Sequence, residues 1–109
     1  MIISEQKQGV NMEIKSSNNK IVITGNIKSI SHYYDILEEL EKLRKIERNI
    51  QIHIYNSISI TSSVVGYLCK LVTTTELSLS LLIEDDSLYT LLDELNLIET
   101  LKVQKIKNI

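Results

Sequence analysis

A chain of 109 residues has room for one domain and one hydrophobic core, which buries roughly two-thirds of the unfolded surface. Hydrophobic content of 43% with 24% charged residues excludes global disorder. The formal net charge of −2 gives no attraction for nucleic acid or an anionic membrane, and a single cysteine, Cys69, excludes an internal disulfide.

No run approaches the roughly 18 apolar residues of a membrane span. Met1-Ile2-Ile3 is cut off at once by Ser4-Glu5-Gln6-Lys7-Gln8, so no signal peptide is expected. A reducing, cytoplasmic setting follows, with neither nucleic acid nor membrane as a partner.

In chain order, residues 10–15 alternate apolar and polar, the period of a half-buried strand. Ser16-Ser17-Asn18-Asn19 is turn material, and the β-branched residues 20–24 return as a second strand that Gly25-Asn26 stops. From 29 to 46 the spacing becomes helical. Ile30, Tyr33, Leu37, Leu40 and Leu43 recur every three or four residues, widened by Ile36 and Ile46, with Ser29 or Ser31 as the cap. Residues 50–55 form a strand with Ile50, Ile52 and Ile54 on one face. A strand covered on both faces reads as continuously apolar, so this alternation places helices mainly on one face.

Residues 56–60 read as a loop and 62–74 as a helix with Val64, Val65, Leu68, Leu71 and Val72 inward. Residues 77–83 are a strand, 88–95 a short helix opened by acidic capping residues, and 101–106 a last strand. Asn96 suits the left-handed position that ends that helix. The expected architecture is one α/β domain, β-β-α-β-α-β-α-β, with a mixed sheet: an antiparallel hairpin followed by parallel strands joined through helices.

Catalytic constellations are not found. His32 and His53 lack the spacing of a metal site with Cys69, so no metal is expected. His53 shares a strand face with Gln51 and Tyr55 and reads as a hydrogen-bonded surface histidine; Cys69 reads as a packing residue within an apolar helix. Gly9, Gly25 and Gly66 form neither a dinucleotide loop nor a phosphate loop, and no glycine precedes Ser62-Ser63 to make a nucleophile elbow. No cofactor is expected and no enzymatic activity.

The most informative stretch is Ile58-Ser59-Ile60-Thr61-Ser62-Ser63-Val64-Val65-Gly66-Tyr67-Leu68, which sets hydroxyls at a strand-to-helix junction ahead of a glycine one turn in. Here the sequence resembles the STAS family of anti-sigma factor antagonists, which shows Asp-Ser-Ser/Thr-Gly-Leu/Ile-Gly at this junction. The order of elements and Leu88-Tyr89-x-Leu91-Leu92-Asp93-x-Leu95-Asn96-Leu97 are similar to the family as well, over residues 10–106. Thr61 stands where the family has aspartate and Val64 where it has its first glycine. The family's C-terminal helix is not expected in the residues after 106.

The resemblance implies phosphorylation of Ser62, or of its neighbour Ser63, by a partner serine kinase, reversed by a phosphatase. It also implies that an anti-sigma factor or related kinase docks on Asn56, Ser57, Ser59, Thr61, Ser62, Ser63 and Tyr67. From the residues alone, Thr61, Ser62 and Ser63 have a second reading as helix caps, worth about 1 kcal/mol. Gly66 reads as a close approach of helix to sheet. Two other functions stay open: a non-switching structural subunit or homodimer joined through Gln51, His53 and Tyr55, and a small hydrolase using Ser62 or Ser63.

Overall fold

The structure is a computed structural model in which residues 12–106 are described. Strands β1 (Met12–Ser17) and β2 (Lys20–Gly25) form a hairpin, followed by α1 (Ile30–Leu43), β3 (Asn49–Tyr55), α2 (Ser62–Thr74), β4 (Ser78–Ile83), α3 (Asp86–Glu94) and β5 (Val103–Lys105). The five strands lie side by side in chain order. β1 runs antiparallel to β2, and β2, β3, β4 and β5 are mutually parallel. The predicted α/β class, element order and mixed sheet are those observed; Val10 and Asn11, the predicted start of β1, lie outside the described residues.

Because each parallel strand is followed by its next neighbour in the same direction, crossovers of one hand place α1, α2 and α3 on one face of the sheet. Burial shows which face. Ile21 and Ile23 of β2, Ile50, Ile52 and Ile54 of β3, and Leu79, Leu81 and Ile83 of β4 are all at most 2% exposed. The alternating residues Val22, His53, Tyr55, Ser80 and Leu82 point the other way and stay half-buried. Ile36, Leu40 and Leu43 of α1, Val64, Leu68 and Leu71 of α2, and Leu88 and Leu92 of α3 close the core. Each such side chain contributes about 2 kcal/mol by leaving water. None of the helices among the described residues is long and apolar enough to cross a membrane.

Local chemistry sets the boundaries. Asn18 takes φ 56° in the hairpin turn. Asn96 takes φ 61° after α3, where its N–H and that of Leu97 donate to the Asp93 and Leu92 carbonyls, a Schellman ending. Three expectations need correcting. Ile30 and Ile46 are 64% and 76% exposed, Ile30 as the first residue of α1 and Ile46 in the turn after the helix has ended at Leu43, and the buried line runs through Ile36 rather than Leu37. The short helix begins at Asp86, not 88, since Asp85 is its cap. Finally, β5 keeps only three residues. A second turn of the same kind occupies 98–102, with Lys102 at φ 49° and the Val103 N–H donating to the Ile98 carbonyl.

Candidate functional site

All three helices start at the same edge of the sheet, where the parallel strands end, so the loops carrying the candidate residues gather there. The loop after β2 and the loop after β3 are laced together. The Ile58 N–H donates to Asn26 Oδ1 (2.8 Å), and Ser59 Oγ donates to the Ile27 carbonyl (3.4 Å). The loop after β4 joins them: Asn56, at φ 55°, donates its N–H to Glu84 Oε1 at 2.7 Å. Asn56 is exposed and Ser59 half-buried.

Thr61 caps α2. Its extended backbone (φ −83°, ψ 154°) turns Oγ1 back to accept the Val64 N–H at 3.3 Å. Ser62 and Ser63 follow in the first turn, both exposed, and among the described residues their hydroxyls make no hydrogen bond. The first turn of α2 holds no carboxylate, so the positive end of the helix dipole faces solvent beside two bare alcohols.

Two predicted contact residues are displaced. Ser57 is buried, 1% exposed, because its Oγ turns inward to donate to the Ser59 carbonyl; it is no surface residue. Tyr67 is half-buried. Its hydroxyl donates to Glu41 Oε2 and its ring meets Tyr33 edge-on at 6.4 Å, so it fastens α2 to α1. Desolvation first, then the Glu41 bond, pushes the Tyr67 phenol well above its ordinary value. The same bond holds the Glu41 carboxyl below its ordinary 4.5, with Arg44 adding to it and burial opposing.

Gly66 is not a close approach to the sheet. It is exposed, and a Cβ built on it meets nothing within 4 Å. Within this chain it costs its helix about 1 kcal/mol relative to alanine and gains no packing.

The sequence reading missed apolar side chains at this edge. Ile58 is 63% exposed while Ser57 beside it is buried, the inverse of the usual polarity. Ile30 and Tyr34, one turn apart on α1, are 64% and 57% exposed. The available signal was an isoleucine between serines in a segment without periodicity. Ile58 stands in the loop that leads to Thr61, and Ile30 and Tyr34 in the first two turns of α1.

The other candidates lie elsewhere. His53 Nε2 is 3.1 Å from Gln51 Oε1 and its ring stacks on Tyr55 at 6.4 Å; its Nδ1 is buried without a partner among the described residues. Burial, then Lys20, holds His53 below its ordinary 6.5. His32 Nδ1 accepts the Lys28 N–H, so neither histidine is bonded to Ser62 or Ser63. Cys69 is half-buried, and desolvation raises its thiol. Among the described residues no three His, Cys, Asp or Glu side chains gather to hold a metal. Compared with known proteins, the chain matches no family model and no curated sequence at a significant level.

Proposed function

We propose that this chain is a STAS-type regulatory protein of the cytoplasm that acts by binding, not by catalysis. It docks an anti-sigma factor or related serine kinase on the surface around Ser62 and Ser63 and releases it when one of these serines is phosphorylated. The kinase supplies the ATP, and a phosphatase reverses the mark. The observation that carries the reading is the pair of exposed hydroxyls at a carboxylate-free helix start, reached by a loop that exposes Ile58.

The physics is asymmetric. A phosphate there adds a charge of about −1.5 to −2 next to unpaired N–H groups and the positive end of a dipole, so the domain stays folded. A partner covering the same spot would have to strip water from that charge, and ~3 kcal/mol of such cost weakens binding about a hundredfold. Ser62 and Ser63 are preferred to Thr61 as the acceptor in this scheme, because the Thr61 hydroxyl already accepts the Val64 N–H as the cap.

The test combines intact mass, with and without phosphatase treatment, and affinity capture from the native host with wild-type, Ser62→Ala and Ser62→Asp bait, with the same pair made at Ser63. Capture retained by Ala and lost by Asp supports the switch. Equal capture by both pairs removes it. A second reading, a homodimer through the sheet face opposite α1, α2 and α3, is favoured by half-buried Val22, Tyr55 and Leu82 there. Equal capture together with a dimer that Leu82→Glu splits in sedimentation would assign that reading instead.

A further inference from the structure

The strand that leads into the candidate site carries an unsatisfied ring nitrogen at the middle of the sheet. His53 lies on the face opposite α1, α2 and α3, in register with Val22 of β2 and Leu82 of β4. Gln51 and Tyr55 flank it along β3 on the same face. The two ring nitrogens are in different circumstances. Nε2 is 3.1 Å from Gln51 Oε1, and a carbonyl oxygen only accepts, so Nε2 donates and holds the proton of the neutral ring. Nδ1 is therefore a bare acceptor, sealed from solvent and without a partner among the described residues.

A second proton can go only to Nδ1. There it creates a buried N–H without an acceptor, and a positive charge between Val22 and Leu82. The charged groups of this face do not compensate it. Lys20 of β2 is in register with Gln51 and repels an imidazolium, and Lys15 of β1 lies beyond Val22. The Lys102 ammonium reaches the same face at Ser78 Oγ, 3.3 Å away. Of the carboxylates, Glu13 is two strands away opposite Thr24, and Glu84, past the end of β4, is held by the Asn56 N–H. β4 and β5 otherwise present Ser80, Leu82 and Gln104, and β3 adds Tyr55, whose ring stacks on the imidazole.

We infer that His53 is an acid-sensitive element built into the centre of the sheet: proton uptake at Nδ1 disrupts the Gln51–His53–Tyr55 layer and lowers the stability of the fold. Burial, then Lys20, holds the ring below its ordinary 6.5. A histidine depressed in this way contributes its full stability above 6.5, and that stability is lost as pH falls from 6.5 towards the folded value. The window lies above the one set by Glu41, whose contribution is lost below 4.5. The element requires neither a phosphorylated serine nor a partner, so it stands apart from the proposed switch.

The experiment follows the imidazole nitrogens of the isotope-labelled full chain by NMR from about pH 7.5 to about pH 5, with thermal melts over the same range. The proton of the neutral ring is expected on Nε2, and the His53 titration midpoint below 6.5. The melting midpoint should fall by about 4 °C or more across the range. His53→Phe keeps a ring on the face and takes no proton, so its melting midpoint should stay level, while His32→Gln should keep the wild-type fall. A neutral ring protonated at Nδ1, a His53 midpoint at or above 6.5, or an equal fall in His53→Phe overturns the proposal. So does a fall abolished by His32→Gln, which would place the effect at the other histidine. The wild-type titration decides the matter even where a variant fails to fold.

Discussion

Helices α2 and α3 leave the same edge of one sheet after neighbouring strands, yet their first turns are finished in opposite ways. At α3 the Asp85 carboxylate accepts two backbone N–H groups, from Ser87 at 2.8 Å and Leu88 at 3.1 Å. Asp86 adds a second negative charge, balanced by Lys105. At α2 a neutral threonine fills one N–H at 3.3 Å, and the next two positions are serines without charge. The α3 start is complete in itself. The α2 start has donors and dipole to spare, which is the condition for accepting an added anion without unfolding. The contrast teaches that readiness for phosphate is a matter of what the first turn lacks.

That contrast can be broken by mutation. Asp85→Ala, which removes a charged cap and two hydrogen bonds, is expected to cost about 1–2 kcal/mol, read as a fall of several degrees in thermal midpoint. Thr61→Ala should cost less, about 0.5–1 kcal/mol. A larger loss from Thr61→Ala would show that α2 is the better finished of the two.

Added charge should separate the helices next. Ser62→Asp is expected to raise stability by about 0.3–1 kcal/mol at low salt, whereas Ser87→Asp, beside two existing carboxylates, should give no gain or a loss. Equal gains in thermal melts would mean that the vacancy at α2 carries no weight.

The smallest effect concerns how α2 is held. Glu41 titrates below its ordinary 4.5 chiefly because the Tyr67 hydroxyl donates to it. A carboxyl depressed in the folded state contributes stability that is present above 4.5 and is lost as pH falls through the folded value. Tyr67→Phe should therefore flatten the acid limb of a stability–pH profile, leaving the profile above pH 6 parallel to wild type. An unchanged acid limb would place the acid sensitivity elsewhere.

Much of this was legible in the residues because it is written in period and turn chemistry. The alternation of Ile50, Ile52 and Ile54 with Gln51 and His53 correctly implied a sheet covered on one face, and the apolar spacing from Val64 to Val72 placed α2 at 62–74 as observed. Asn18 and Asn96 were readable as left-handed positions since their short polar side chains tolerate them. Exposure at helix ends was not legible. Ile30 and Ile46 continue the apolar spacing of α1 yet stand exposed at its first residue and in the turn beyond its end, and period says nothing about where a helix stops. The inversion of Ser57 and Ile58 was hidden for a related reason: a loop has no period, and its polarity is set by hydrogen bonds between loops that are distant in sequence. Gly66 misled because a glycine suggests a nearby atom, and here there is none. At the site, the two exposed serines were readable, while the exposed Ile58 in the loop before them was not.

The sheet's order has one more consequence. Each described strand after the first pairs with its immediate predecessor, so among the described residues no pairing waits for a segment made much later. The hairpin can close on its own as a template, and each following helix–strand unit can be added as it emerges during synthesis. Each parallel pairing then closes over a single helix crossover, the shortest connection a parallel neighbour allows, which suits stepwise folding.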